Sequence, residues 1–180
     1  MTDAQTISIL LAGLSIAASI VYYASVLRNQ NKTQQLQLET RKLQIVKEIW
    51  DWISDEEGYK QFFQIMTLTW IDYDDFQKQY GASTNIEAYT MRFSVQSKLN
   101  GFGYMVKEGA IDIETVYDHS AGRVVWMWQK YKPIIYSDRK RLGASYIFKW
   151  WEYLAEELLK EAERRGDTLV TPPSFQTSPI

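Results

Sequence analysis

The chain has no cysteine and a single histidine, His119. The first absence excludes disulfides, a thiolate nucleophile and cysteine-ligated metal. The second removes histidine-rich metal centres, since a lone imidazole cannot supply the three or four convergent ligands a site wants. Glu114 and Asp118 lie close to His119 in sequence, but a surface histidine accounts for the pattern better than a metal or a proton relay. No G-x-S-x-G elbow, Walker A loop or dinucleotide glycine fingerprint occurs. Gly101 and Gly103 lack the third glycine that a phosphate cradle requires. Charge of one sign is also lacking, with 20 Lys and Arg against 22 Asp and Glu. That balance gives no footing for nucleic-acid binding. No stretch alternates polar and apolar residues as a strand does.

Residues 7–27 contain neither a charged residue nor a proline. A helix of that length extends about 31 Å, close to the thickness of a bilayer's hydrocarbon core. The run predicts a transmembrane helix, whose partner is the lipid bilayer. Only Asp3 carries charge before it, whereas Arg28, Lys32, Arg41, Lys42 and Lys47 follow. By the positive-inside rule, residues 1–6 face outward and residues 28–180 lie in the cytosol. Tyr22 and Tyr23 sit where an interfacial aromatic belt belongs. A cleaved signal peptide would need a basic leading region, which is missing. Ser8, Ala12, Ser15 and Ser19 share one helical face, a small-residue stripe of the kind that allows two membrane helices to self-associate.

Residues 28–54 hold no glycine or proline and predict a helical stalk. Leu36, Leu43 and Trp50 fall seven apart, with Val46 and Ile53 complementary and Glu39 interrupting. This seam suits either self-association as a coiled coil or docking on the stalk's own domain. Residues 55–165 are expected to form a bundle of about five to six helices. Asp55, Glu56 and Glu57 favour a helix start, followed by Tyr59, Phe62, Phe63, Met66 and Trp70 as its apolar stripe. Asp72, Asp74 and Asp75 suit an N-cap rather than a calcium loop. Thr84-Asn85-Ile86-Glu87 reads as a capping box, opening a helix to about Lys107 with Ile86, Tyr89, Phe93, Leu99, Phe102 and Val106 on its core side. Gly101 and Gly103 are candidates for close helix approach, and Gly109 for a stop. A helix from Asp112 is expected to break near His119–Gly122. The next carries Val124, Trp128, Tyr131 and Ile135, with Pro133 kinking it or starting a new segment. The last is expected over 145–165. The tail, 166–180, predicts disorder or a loosely bound peptide.

The run from Leu99 through Gly101, Gly103 and Gly109 to Asp112 resembles a family of short single-pass prokaryotic membrane proteins of unknown function. So does the later pattern of Trp128, Tyr131-Lys132-Pro133, Arg139, Tyr146 and Trp151-Glu152-Tyr153-Leu154. The family's usual Phe-Glu is Trp151-Glu152 here, which keeps a large aromatic. The resemblance implies an N-terminal membrane helix followed by a helical cytosolic domain, and it brings no activity.

Among residues with chemical potential, Arg139 and Glu152 flank a turn between two helices and are expected to form a partly buried ion pair. Trp126, Trp128, Tyr131 and Arg139 are candidates to line a ligand pocket. Lys130, Lys132, Arg139, Lys140 and Arg141 form a basic cluster, facing either anionic lipid or solvent. Glu152 and Glu156 lack the Glu-x-x-His pairing of a di-iron bundle. The sequence therefore reads as an all-α, single-pass membrane protein without a cofactor or catalytic motif. It suits a membrane-anchored scaffold or interaction module with an unknown protein partner. Alternatives are an accessory subunit of a membrane complex, and a sensor or enzyme using the aromatic pocket.

Overall fold

A computed structural model describes residues 3–175, except for the side chains of Thr6, Val46, Ile49, Trp50, Trp52 and Ile53. The described residues form six α-helices and no strand. They are α1 (Asp3–Ser54), α2 (Glu56–Thr67), α3 (Tyr73–Tyr80), α4 (Ile86–Lys107), α5 (Ile113–Leu142) and α6 (Lys149–Arg165), with a short 3-10 turn at Pro173–Phe175. The chain divides into two units, residues 1–45 and 46–180.

The first unit is helical throughout its described length. Its apolar run is long enough to cross a membrane, with a mean hydropathy of 2.0 over the best window, none of it buried within the chain. Its serine hydroxyls are satisfied inside the helix. Ser8, Ser15 and Ser19 donate to the carbonyls of Ala4, Leu11 and Ser15 at 3.0, 2.9 and 2.8 Å. A lipid-facing helix requires that, because hydrocarbon offers no other acceptor. Leu36 and Leu43 of the predicted seam are exposed; the side chains of Val46, Trp50 and Ile53 lie outside the described ones.

The second unit is a bundle whose most extensive contact joins α4 to α6. Gly103 makes that contact possible, since a Cβ there would lie 1.8 Å from the Trp150 carbonyl oxygen. Gly101 has open space beside it. Val95 and Leu99 of α4, Trp128, Tyr131 and Ile135 of α5, and Trp151, Leu154 and Leu158 of α6 fill the core. Trp128 and Trp151 meet edge to face at 5.3 Å between centroids, a favoured aromatic geometry. On α2, Phe62, Ile65 and Met66 are buried, whereas Tyr59 and Phe63 are exposed. Asp55 and Asp72 cap α2 and α3, accepting from Gly58 N at 2.5 Å and Asp75 N at 2.8 Å.

Four local expectations are corrected. The N-cap of α4 is Asn85, whose Oδ1 accepts from Ala88 N at 3.0 Å; Thr84 instead donates to the carbonyls of Gln77 and Gly81. The buried face of α4 carries Arg92, Val95, Gln96, Leu99 and Gly103, while Ile86 and Phe93 are exposed. The approach to α6 at Gly103 sets that rotation. Third, α5 runs unbroken through His119–Gly122 and past Pro133. Ser120, Ala121, Val124 and Val125 are all buried there, so tertiary packing outweighs the local cost of glycine and proline. Finally, α6 begins at Lys149, because Phe148 takes a left-handed conformation at φ 50°.

Of the tail, residues 166–175 are described. Phe175 packs on Phe62 and Phe63 at 5.9 Å each. Its carbonyl accepts from Lys130 Nζ at 3.2 Å. Tyr117 donates to Asp167 at 2.7 Å.

Candidate functional site

A cleft of about 690 Å³ opens between α3, α4, the end of α5 and the turn that follows α5. From α3 come Tyr73 and Gln77; from α4, Tyr89, Arg92, Phe93, Ser97 and Asn100; from α5, Asp138, Arg141 and Leu142; from the turn, Tyr146, Ile147 and Phe148. Two polar pairs stand at the cleft, together with one arginine that no carboxylate touches among the described residues.

The first pair is Tyr73 and Asp138, whose hydroxyl and carboxylate meet at 2.6 Å. Burial and the anionic acceptor push the phenol up to about 12. Burial also raises the Asp138 carboxyl, against the opposing pull of the Tyr73 hydrogen bond and the nearby charges of Arg92 and Arg141. The second pair is Arg141 and Asp74, at 2.8 Å, with the guanidinium 4.3 Å from the Tyr73 ring centroid.

Arg92 lacks such a partner. It is only 4% exposed, and no carboxylate lies within 4.0 Å of it among the described residues. Its Nη1 donates to Gln96 Oε1 at 3.0 Å, while Nε is buried without an acceptor. Its charge rests on the faces of Phe76 and Tyr89, with centroids at 4.9 and 5.3 Å. Burial pulls its pKa below the ordinary guanidinium value.

Beside the cleft, Arg139 and Glu152 come together at 2.6 Å. Arg139 Nε donates to the Ile147 carbonyl at 2.8 Å, and Tyr136 donates to the second oxygen of Glu152. The Tyr136 phenol is held up at about 12 by that carboxylate acceptor and by burial. Burial works to raise Glu152, but the Tyr136 and Arg139 hydrogen bonds outweigh it and hold the carboxyl below its usual value.

The other residues singled out in the sequence fall elsewhere. None of Trp126, Trp128, Tyr131 and Arg139 lines the cleft. Trp128 and Tyr131 are core residues at 4% and 0% exposure. Trp126 lies against Phe175. Tyr131 donates to the Ile65 carbonyl at 2.8 Å. The basic cluster is dispersed as well, with Lys130 buried, Arg139 and Arg141 paired, and Lys132 and Lys140 exposed. His119 Nδ1 lies 2.8 Å from the Thr115 carbonyl, and Asp118 pairs with Arg165. Among the described residues no group of His, Asp and Glu could hold a metal.

Sequence reasoning missed Arg92 and Asp138. Arg92 had a legible signal: it stands three residues after Tyr89 and seven before Leu99, on the buried face of α4. A charge at an apolar-periodic position marks either a buried pair or a site. No protein-family model, curated protein or solved structure matches this chain.

Proposed function

We propose that this protein is a membrane-anchored interaction module. In this reading it holds a helical domain at the cytosolic face of a membrane and recruits another protein there without chemistry of its own, in keeping with the single-pass architecture that the sequence resembles. One observation carries the reading: an N-terminal helix of bilayer length leaves its whole apolar window unburied by the rest of the chain. Water would not tolerate that surface, and lipid covers it. The following Lys and Arg residues favour the cytosol for the second unit.

Part of the perturbed titration has a structural cause. Tyr73 with Asp138, Tyr136 with Glu152, and Glu161 with Arg164 and Arg165 each satisfy one another, so their shifts follow from structural pairing.

The test has two stages. Alkaline carbonate extraction should leave the full chain in the membrane pellet, and protease added to intact cells should spare residues 46–180. Cross-linking in native membranes should then capture a protein partner that a chain without residues 1–27 no longer reaches. A chain recovered in the aqueous fraction without detergent would remove the basis of the reading.

A further inference from the structure

We propose that the cleft beside Arg92 binds a small organic monocarboxylate, the Arg92 guanidinium taking the carboxylate and the surrounding aromatic rings taking the apolar body. This goes beyond the interaction reading and does not depend on it, since it concerns the purified chain and a small acid.

The argument starts from unmet chemistry. A guanidinium carries five N–H donors, yet Arg92 spends one nitrogen on Gln96 and leaves Nε buried with no acceptor. Among the described residues no carboxylate touches that charge, and Asp138 acts on it only from a distance; a buried charge short of contact partners destabilises a fold. Such a residue persists where a ligand completes it. Arg92 is also part of the wall of a cleft whose volume falls within the roughly 300–1,000 Å³ typical of small-molecule sites.

The apolar side of the site is present too. Tyr89 and Phe93 stack with rings 17° from parallel, and Phe93 remains 43% exposed in the cleft. Phe148 meets Phe93 edge to face at 5.4 Å. It is the only non-glycine residue with positive φ among the described residues. Backbone strain of that kind gathers at ligand sites, where a side chain must be held against its local preference.

Charge selects the ligand class. Arg141 is in contact with Asp74, whereas Arg92 has only the more distant Asp138, so one cation lacks a contact partner. Asp138 stands in the same cleft and its burial is already costly. A phosphate dianion would meet that carboxylate with twice the repulsion of a monoanion, so one carboxylate is the better match.

The experiment uses the full chain in lipid nanodiscs, with phenylacetate as probe. Phenylacetamide has the same shape without charge, and inorganic phosphate has charge without the apolar body. Phenylacetate at ten times its dissociation constant should raise the melting temperature by about 3–6 °C, and neither control should. Arg92→Met should abolish the shift. Ser97→Glu, an exposed change on the cleft lining, should leave the fold intact and also abolish the shift by repulsion. It serves if Arg92→Met does not fold. The proposal is overturned by any of three results: no shift with phenylacetate, an equal shift with phenylacetamide or phosphate, or a parental shift in a folded variant.

Discussion

Asn100 of α4 caps α6 through the backbone amides of Trp150 and Trp151. Its Oδ1 accepts from Trp150 N at 3.0 Å and from Trp151 N at 3.3 Å. A helix start leaves four amides without intrahelical partners, and a local Ser, Thr, Asp or Asn usually takes one. Here the local residue is Phe148, whose side chain cannot accept, so a side chain from α4 does so. Asn100→Ala should therefore cost about 1–2 kcal/mol in thermal or chemical unfolding. Asn100→Asp should keep most of the stability, because it retains the acceptor and places negative charge at a helix N-terminus.

Two glycines on α4 should respond with opposite sign. A methyl at Gly103 would meet the Trp150 carbonyl at 1.8 Å, and a rigid backbone cannot yield as a flexible side chain does. Gly103→Ala should destabilise by about 3 kcal/mol or more as α4 and α6 are forced apart. At Gly101 nothing lies within 4 Å of the added methyl. Gly101→Ala should stabilise by about 0.5–1 kcal/mol through helix propensity alone. Equal losses at the two positions would contradict the packing described for this contact.

These pairs show what the sequence could and could not disclose. The helical class and the apolar N-terminal helix followed from composition and from helical spacing, which are local properties. The start of α4 followed to within one residue, because Thr84 and Asn85 are both good caps and only tertiary contacts decide between them. The unbroken course of α5 was not legible. Gly122 and Pro133 weaken a helix taken alone, and the packing of Val124, Val125 and Ile134 that overrides them is not local. The ion-pair partners Arg139 and Glu152 could be named because the turn between their helices is short. The cleft could not be assembled in advance, since Tyr73, Arg92 and Asp138 come from three helices and no periodicity links them.

The Arg139–Glu152 pair should matter most when one partner is removed. The two side chains are 15% and 22% exposed, so the pair is only partly screened by water. Arg139 also satisfies the Ile147 carbonyl, which fixes the turn leading into α6. Arg139→Ala should cost about 2–3 kcal/mol. Arg139→Lys should recover only part of that loss, because an ammonium lacks the planar fork that serves a carbonyl and a carboxylate together. An unchanged melting temperature in Arg139→Ala would show that the pair contributes nothing to the fold.

Lys130 predicts a rise in stability toward alkaline pH. Its ammonium is buried, donating to the Met66 and Phe175 carbonyls at 2.8 and 3.2 Å and lying 5.1 Å from the Trp70 ring centroid. Burial pulls its pKa from 10.5 down to about 8. Between those two values the unfolded chain holds a proton that the folded chain has released, so unfolding binds a proton and becomes harder as pH rises. Above pH 10 the balance reverses. Tyr73 and Tyr136 keep their phenolic protons to about 12 in the fold, while unfolded tyrosines lose theirs near 10.0. Denaturant melts should thus show stability climbing from pH 8 and turning over near pH 10. Lys130→Met, which keeps an apolar stem of similar length, should flatten the climb and leave the fall above pH 10 in place. A parental climb in that variant would assign the proton to another group.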